Sequence, residues 1–153
     1  MAKRSSVSPL DAHFGFWLRF VSNHVSARFQ KLLESENTTV TEWVALRTLF
    51  DNVQTSHAAL IDALGMTKGA TSKVINRLEE KGLAYRQQAE NSAREQVLLL
   101  TDAGRALVPR LAALADQNEE HFLGHIGRKE RAALMKTFQD LVAYHQIKEV
   151  PVT

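Results

Sequence analysis

The chain has 153 residues, 44% of them apolar and 24% charged, with a formal net charge of +2 and no cysteine. That length suits one domain with a real core rather than two independent ones, and the composition is not that of a disordered chain. Disulfides, thiolate metal sites and cysteine redox switches are excluded within the chain, and no window approaches the ~20 apolar residues that a bilayer span needs. The opening stretch, MAKRSSVSPLDAHFGF, holds two basic residues but no apolar run before Asp11, so a cytoplasmic protein without membrane attachment is expected.

Apolar residues recur at helical spacing from Leu10 to Leu33 (Leu10, Phe14, Trp17, Leu18, Val21, Val25, Phe29, Leu32), predicting a first helix. Phe16 and Phe20 add a second apolar stripe. A terminal helix greasy on two sides either faces one broad core or needs a partner beyond its own domain. After a polar break at Glu34 to Asn37, the run Thr39-Val40-Thr41-Glu42 fits a capping box, with Thr39 capping and Glu42 reaching back. The helix it opens carries Trp43, Val44, Leu46, Leu49 and Phe50.

Ser56 is placed to cap a short third helix with Leu60, Ile61 and Leu64 inward, closed by Gly65, since a tight turn there favours a residue that tolerates positive φ. Thr67 caps a fourth helix, Lys68 to Lys81, ended by Gly82. Leu83 to Gln88 and Glu95 to Leu100 are strand candidates flanking a polar tip, Ala89 to Arg94. A fifth helix opens at Thr101 with Leu107, Leu111, Leu114 and Phe122 on one face, and Pro109 inside it should bend it. Gly124 and Gly127 mark a break before a sixth helix bearing Leu134, Phe138, Leu141 and Val142. The tail from Val150, with Pro151, should fray.

Helix, tight turn, helix, then a hairpin with an arginine at its tip is the order of a winged helix-turn-helix, whose second helix enters the DNA major groove. Between Met66 and Arg110 three Lys and five Arg stand against four Glu and one Asp, a modest basic footprint. In the fourth helix Thr71, Val74, Ile75 and Leu78 should face inward. Gly69, Ala70, Ser72, Lys73, Asn76 and Arg77 are left outside. Those types suit a groove: Asn pairs with adenine, Arg or Lys with guanine or phosphate, and Gly and Ala let the backbone approach. Lys68 sits where helix-start amides also favour phosphate. Ser56 joins these DNA-contact candidates, and Arg94 is the minor-groove or backbone contact of the wing.

The first helix and the last two do not fit inside a compact winged helix. Pairing with the same helices of a second copy would bury their stripes, with Phe16, Phe20, Leu134, Phe138, Leu141 and Val142 at the seam. The expected architecture is therefore mostly α (α+β), with six helices and a two-stranded wing. Residues 1–35 form a dimerisation helix, 36–104 the DNA-binding lobe and 105–153 the second dimerisation region, all of one intertwined domain.

The chain resembles the MarR family of bacterial transcription regulators over about residues 10 to 146. The resemblance rests on ALIDALGMTKGATSKVINRLEEKGLAYR (Ala59 to Arg86), on VLLLTDAGRAL (Val97 to Leu107), and on the spacing from Arg94 to the Leu100-Thr101-Asp102-Ala103-Gly104 helix start. It implies a homodimer on a near-palindromic operator, commonly released by a small, often phenolic ligand lodged between dimer helices and DNA-reading lobe. Trp17, His24 and Trp43 lie on the helices that border that cavity in the family. Two positions depart from the pattern: Ser92 stands where an acidic residue often holds the wing arginine, and Thr71 stands where the family is often apolar. Arg86 matches a common family residue and is expected to tie the wing to the helices.

Two other readings stay open. His121 and His125, four apart with Glu119 and Glu120 nearby, could make a metal-responsive regulator of the same fold, although Gly124 suggests that the helix is ending there. A winged helix used only for protein contacts is the other. An enzyme is not expected: there is no G-x-S-x-G, no H-E-x-x-H, no phosphate-binding Gly-rich loop and no cysteine nucleophile. No cofactor and no resident metal are expected.

Overall fold

The computed structural model describes residues 7–148, so the tail from Val150 lies outside the described residues. Six α-helices accompany a small antiparallel sheet: α1 (Phe14–Glu34), α2 (Val40–Asp51), β1 (Thr55–Ser56), α3 (His57–Leu64), α4 (Lys68–Glu80), β2 (Ala84–Gln88), β3 (Gln96–Leu100), α5 (Asp102–Leu123) and α6 (Arg128–Tyr144). None of the described helices is long and apolar enough to cross a membrane.

The first helix starts later than its apolar spacing predicts. Leu10–Ala12 is a single 3-10 turn, and His13 is extended at φ −100°, so α1 opens only at Phe14. Trp17 Nε1 donates to the Asp11 carbonyl at 2.8 Å and holds this turn against the helix. At the far end Asn37 adopts φ 51°, and the chain reverses into α2.

Local capping sets the helix starts as expected. Thr39, Ser56, Thr67 and Thr101 each accept a backbone N–H three residues on, from Glu42, Ala59, Ala70 and Gly104. In the capping box, Thr39 plays its part but the Glu42 side chain goes elsewhere. Its carboxylate is buried and accepts from Lys81 Nζ at 2.7 Å. A charge removed from water is tolerated only when paired, and that pairing outweighs a local cap. Gly65 ends α3 at φ 61°, the left-handed turn of the helix-turn-helix.

The wing has one strand more than the sequence suggests. Order in the sheet is β1-β3-β2, with Thr55 opposite Leu98 and Ser56 opposite Val97, while β2 runs from Ala84 opposite Leu100 to Gln88 opposite Gln96. Two residues are too few to show an alternating pattern, so β1 left no periodic signal. Ser56 thus ends a strand and caps a helix at once.

One core gathers Leu33 of α1, Leu46 and Leu49 of α2, Leu60 and Leu64 of α3, Val74, Ile75 and Leu78 of α4, and Leu98 and Leu100 of the sheet. It continues past residue 104, the expected lobe boundary, because Leu107, Val108 and Leu111 of α5 close it. Pro109 lies within α5 without ending it. Gly104 is required by space: a Cβ there would stand 2.1 Å from the Leu83 carbonyl oxygen. Further along, Asn118 of α5 is buried against α1, accepting from Arg28 at 3.0 Å and donating to the Val25 carbonyl at 3.1 Å. By contrast no residue of α6 is buried, and α1 buries only Leu33.

Candidate nucleic-acid interface

Helix α4 divides as its sequence predicts. Thr71, Val74, Ile75 and Leu78 are buried; Lys68, Gly69, Lys73, Asn76 and Arg77 are exposed, with Ala70 and Ser72 half-buried on the margin. The turn at Gly65 and the cap at Thr67 aim this face outward. Ser56 and Arg94 are exposed as well. Ser56, Ser72 and Arg94 are brought together, with His57, Arg86 and Glu95, around an open hollow of about 1020 Å³ between the start of α3, α4 and the wing.

The cations of this face are not equivalent. Among the described residues Lys68, Lys73 and Arg94 form no ion pair. Arg77 is half drawn back, its Nε 3.9 Å from a Glu42 carboxylate oxygen. Lys81, one position past α4, donates to that carboxylate and, at 2.6 Å, to the Asn37 carbonyl, so the end of α4 is anchored to α2 and to the reversal before it. Arg86 donates to Glu79 and, at 2.8 Å, to Asn76 Oδ1, so it does tie the wing to α4.

At the wing tip Ala89 N–H donates to the Glu95 carbonyl and Gln88 Nε2 to the Ala93 carbonyl, both at 2.9 Å. Ser92, at the position where the family often carries an acid, accepts the Arg94 backbone N–H at 3.2 Å. It shapes the tip through the main chain and leaves the guanidinium outside.

His57 is a member of this site that sequence reasoning misses. It is the first residue of α3, its Nε2 lies 3.5 Å from Ser72 Oγ, and it lines the hollow. Burial, then the charges of Lys68 and Arg86, lower its pKa below the ordinary imidazole value. A lone His after a capping serine carries no local signal; its setting arises from a wing some thirty residues on.

The three ligand-pocket candidates do not converge. Trp17, Phe20 and His24 form an aromatic run along α1, Trp17 to Phe20 at 6.3 Å and Phe20 stacked on His24 at 5.1 Å between ring centres. Trp43 meets Phe29 edge-on at 6.5 Å beside the core. Phe29 is twelve residues along the helix from Trp17, a separation of about 18 Å at 1.5 Å per residue. None of the three lines the hollow beside the wing.

The six interface candidates lie uncovered or half-covered: Phe16 is half-buried, Phe20 is 52% exposed, and Leu134, Phe138, Leu141 and Val142 are 38–47% exposed. Helix α5 ends at Leu123 with Gly124 as its cap, as Gly124 suggested, so His125 falls in the turn beyond. His121 instead sets its ring edge-on to Phe122, and no three His, Asp or Glu side chains converge to hold a metal among the described residues.

Known proteins share this geometry. The MarR family model matches residues 38–96, which run from just before the α2 cap to the first residue of β3. The transcriptional regulator HosA of Escherichia coli is 25% identical over 125 residues, 82% of this chain and 91% of its own. The transcriptional repressor CouR, solved bound to a 23-mer DNA duplex, superposes with a TM-score of 0.79 at 25% identity, over 87% of this chain and 94% of CouR. BpsR of Bordetella bronchiseptica, whose DNA binding is regulated by 6-hydroxynicotinic acid, superposes with a TM-score of 0.78 at 24% identity, over 89% of this chain and 97% of BpsR.

Proposed function

We propose that the chain, whose residues 38–96 match the MarR family model, is a homodimeric repressor seated on a near-palindromic operator and released by a small aromatic, phenolic-type ligand. The observation that carries this reading is the outer face of α4, with Lys68, Lys73, Asn76 and Arg77 exposed beside the hollow that Arg94 helps to line. Lys68, Lys73 and Arg77 meet phosphates or guanine edges. Ser72 and Asn76 make shorter contacts in the groove, and Gly69 and Ala70 let the backbone come close. Ser56 touches the strand at the start of α3 and Arg94 enters the minor groove.

In this reading residues 36–104 read DNA, and residues 1–35 and 105–153 hold two copies together in the cytoplasm. Phe16 and Phe20 of α1 and Leu134, Phe138, Leu141 and Val142 of α6 pack against a second copy, supported by the apolar area they leave uncovered in one chain. Two-fold symmetry then sets the half-sites about one helical turn, ~34 Å, apart. The ligand meets Trp17 and His24 on α1, while Trp43, set against Phe29 beside the core, lies apart from them. Its aromatic class is supported by the 6-hydroxynicotinic acid that regulates BpsR.

Recovering genomic fragments bound by the purified protein, followed by release with aromatic acids, tests this directly. Enrichment of a two-fold symmetric duplex and a light-scattering mass twice that of the chain are expected. A protein that enriches no duplex over random DNA, or that stays a folded monomer, rejects it.

A further inference from the structure

By residue type alone Asn76 is an adenine reader, because a carboxamide can accept from the adenine amino group and donate to N7 together. The structure changes what this side chain can offer. Arg86 reaches across from β2 with one nitrogen on Glu79 and another 2.8 Å from Asn76 Oδ1. A guanidinium has five N–H donors and no acceptor. The Asn76 atom facing it is therefore the oxygen, whichever way an isolated amide would turn. Glu79 holds the other arm of the fork, so Arg86 is fixed in this pose from two sides. What α4 then presents from Asn76 is its Nδ2, a donor.

We infer that Arg86 is a specificity-determining residue acting through Asn76: by holding the amide oxygen toward itself it favours Asn76 as a donor to a guanine edge over a bidentate partner for adenine. Guanine offers two acceptors in the major groove, O6 and N7, and an NH₂ group can serve either. Adenine offers one acceptor beside an amino group, and that amino group has to share an oxygen that Arg86 already engages by one of its two lone pairs and holds turned toward itself. Arg86 itself touches no base. Its effect is on which base is preferred, not on how strongly DNA is held overall. The inference rests on the DNA-reading function proposed above and deepens it.

The test is selection of bound sites from a random duplex pool by the full-length protein and three variants. Asn76→Ala locates the position in each half-site, which should lose its preference. There the unaltered protein should enrich guanine. Arg86→Met removes the donor and frees the oxygen, and should move that position toward adenine by at least about fivefold, the lower end of what one good side-chain–base pair discriminates. Asn76→Asp keeps an oxygen for Arg86 and removes the donor, and should lose guanine in favour of cytosine, whose amino group a carboxylate accepts. The aspartate variant decides the matter alone if Arg86→Met fails to fold. Adenine enriched by the unaltered protein at that position, no position flattened by Asn76→Ala, or guanine retained by either Arg86→Met or Asn76→Asp overturns the inference while leaving sequence-specific binding intact. No site enriched by the unaltered protein would overturn the DNA-reading function itself, and this inference with it.

Discussion

Lys81, at the end of the recognition helix, grips the buried carboxylate of Glu42 on α2 at 2.7 Å, and Glu42 is 1% exposed. The pair is a structural strut between the end of α4 and α2 behind it. Lys81→Met leaves a buried charge with only Arg77 at 3.9 Å for company. A loss of about 2–4 kcal/mol is expected, around or just under the usual cost of orphaning a buried ion because Lys81 itself keeps some solvent. Urea unfolding measures it, and pairing Lys81→Met with Glu42→Gln should restore part of the loss.

Two glycines should behave oppositely. At Gly104 a new methyl meets the Leu83 backbone oxygen, which cannot swing aside, so Gly104→Ala should destabilise by about 1–3 kcal/mol in thermal or urea unfolding. Gly69, in the first turn of α4, has open space for 4 Å around the point where a methyl group would stand. Gly69→Ala should hold or raise stability by up to about 1 kcal/mol. It should nonetheless weaken DNA binding, because the backbone there has to come close to the duplex. Equal affinity for the two proteins would take Gly69 out of the interface.

His57 predicts a pH dependence of a stated sign. Its pKa in the folded protein lies below the ordinary value of about 6.5, from burial first and then from Lys68 and Arg86. The unfolded chain therefore takes up a proton at His57 more readily, and folding stability falls as pH drops below about 6.5. Affinity for DNA moves the other way. Phosphates entering the hollow favour the imidazolium against Lys68, Arg86 and Arg94, with Glu95 already present in the lining. Operator affinity should rise between pH 7.5 and 5.5, by at most about tenfold per pH unit for each proton taken up. The difference between the unaltered protein and His57→Gln isolates this residue from the other five histidines.

Arg94 sits exposed at the wing tip, shaped there by the bond of its own N–H to Ser92. Arg94→Ala should weaken binding and flatten the plot of log affinity against log salt by about one unit for each phosphate that is no longer neutralised. A weakened complex with an unchanged salt slope would mean that the arginine reads something other than phosphate or groove potential.

What could be read from the sequence divides along physical lines. Caps at Thr39, Ser56, Thr67 and Thr101, the left-handed turn at Gly65 and the inward set of α4 follow from interactions within a few residues, and the structure has them all. The third strand was not legible, because two residues cannot display a period and the partner of Thr55, Leu98, lies far along the chain. The Glu42 side chain has a local role available and a better one thirty-nine residues away at Lys81. The setting of His57, and the hold of Arg86 on Asn76, likewise exist only once the wing folds back on the helices. The spread of Trp17, His24 and Trp43 over two places on α1 and α2 has the same origin: sharing a pair of helices does not bring side chains to one point.

Ser56 belongs to two structures that are usually separable, ending the ladder against Val97 and capping α3 through Ala59. Shifting the hairpin by a single rung would leave that cap in place but give Ser56 a new partner in β3, so the register of the wing is set at the very residue that opens α3.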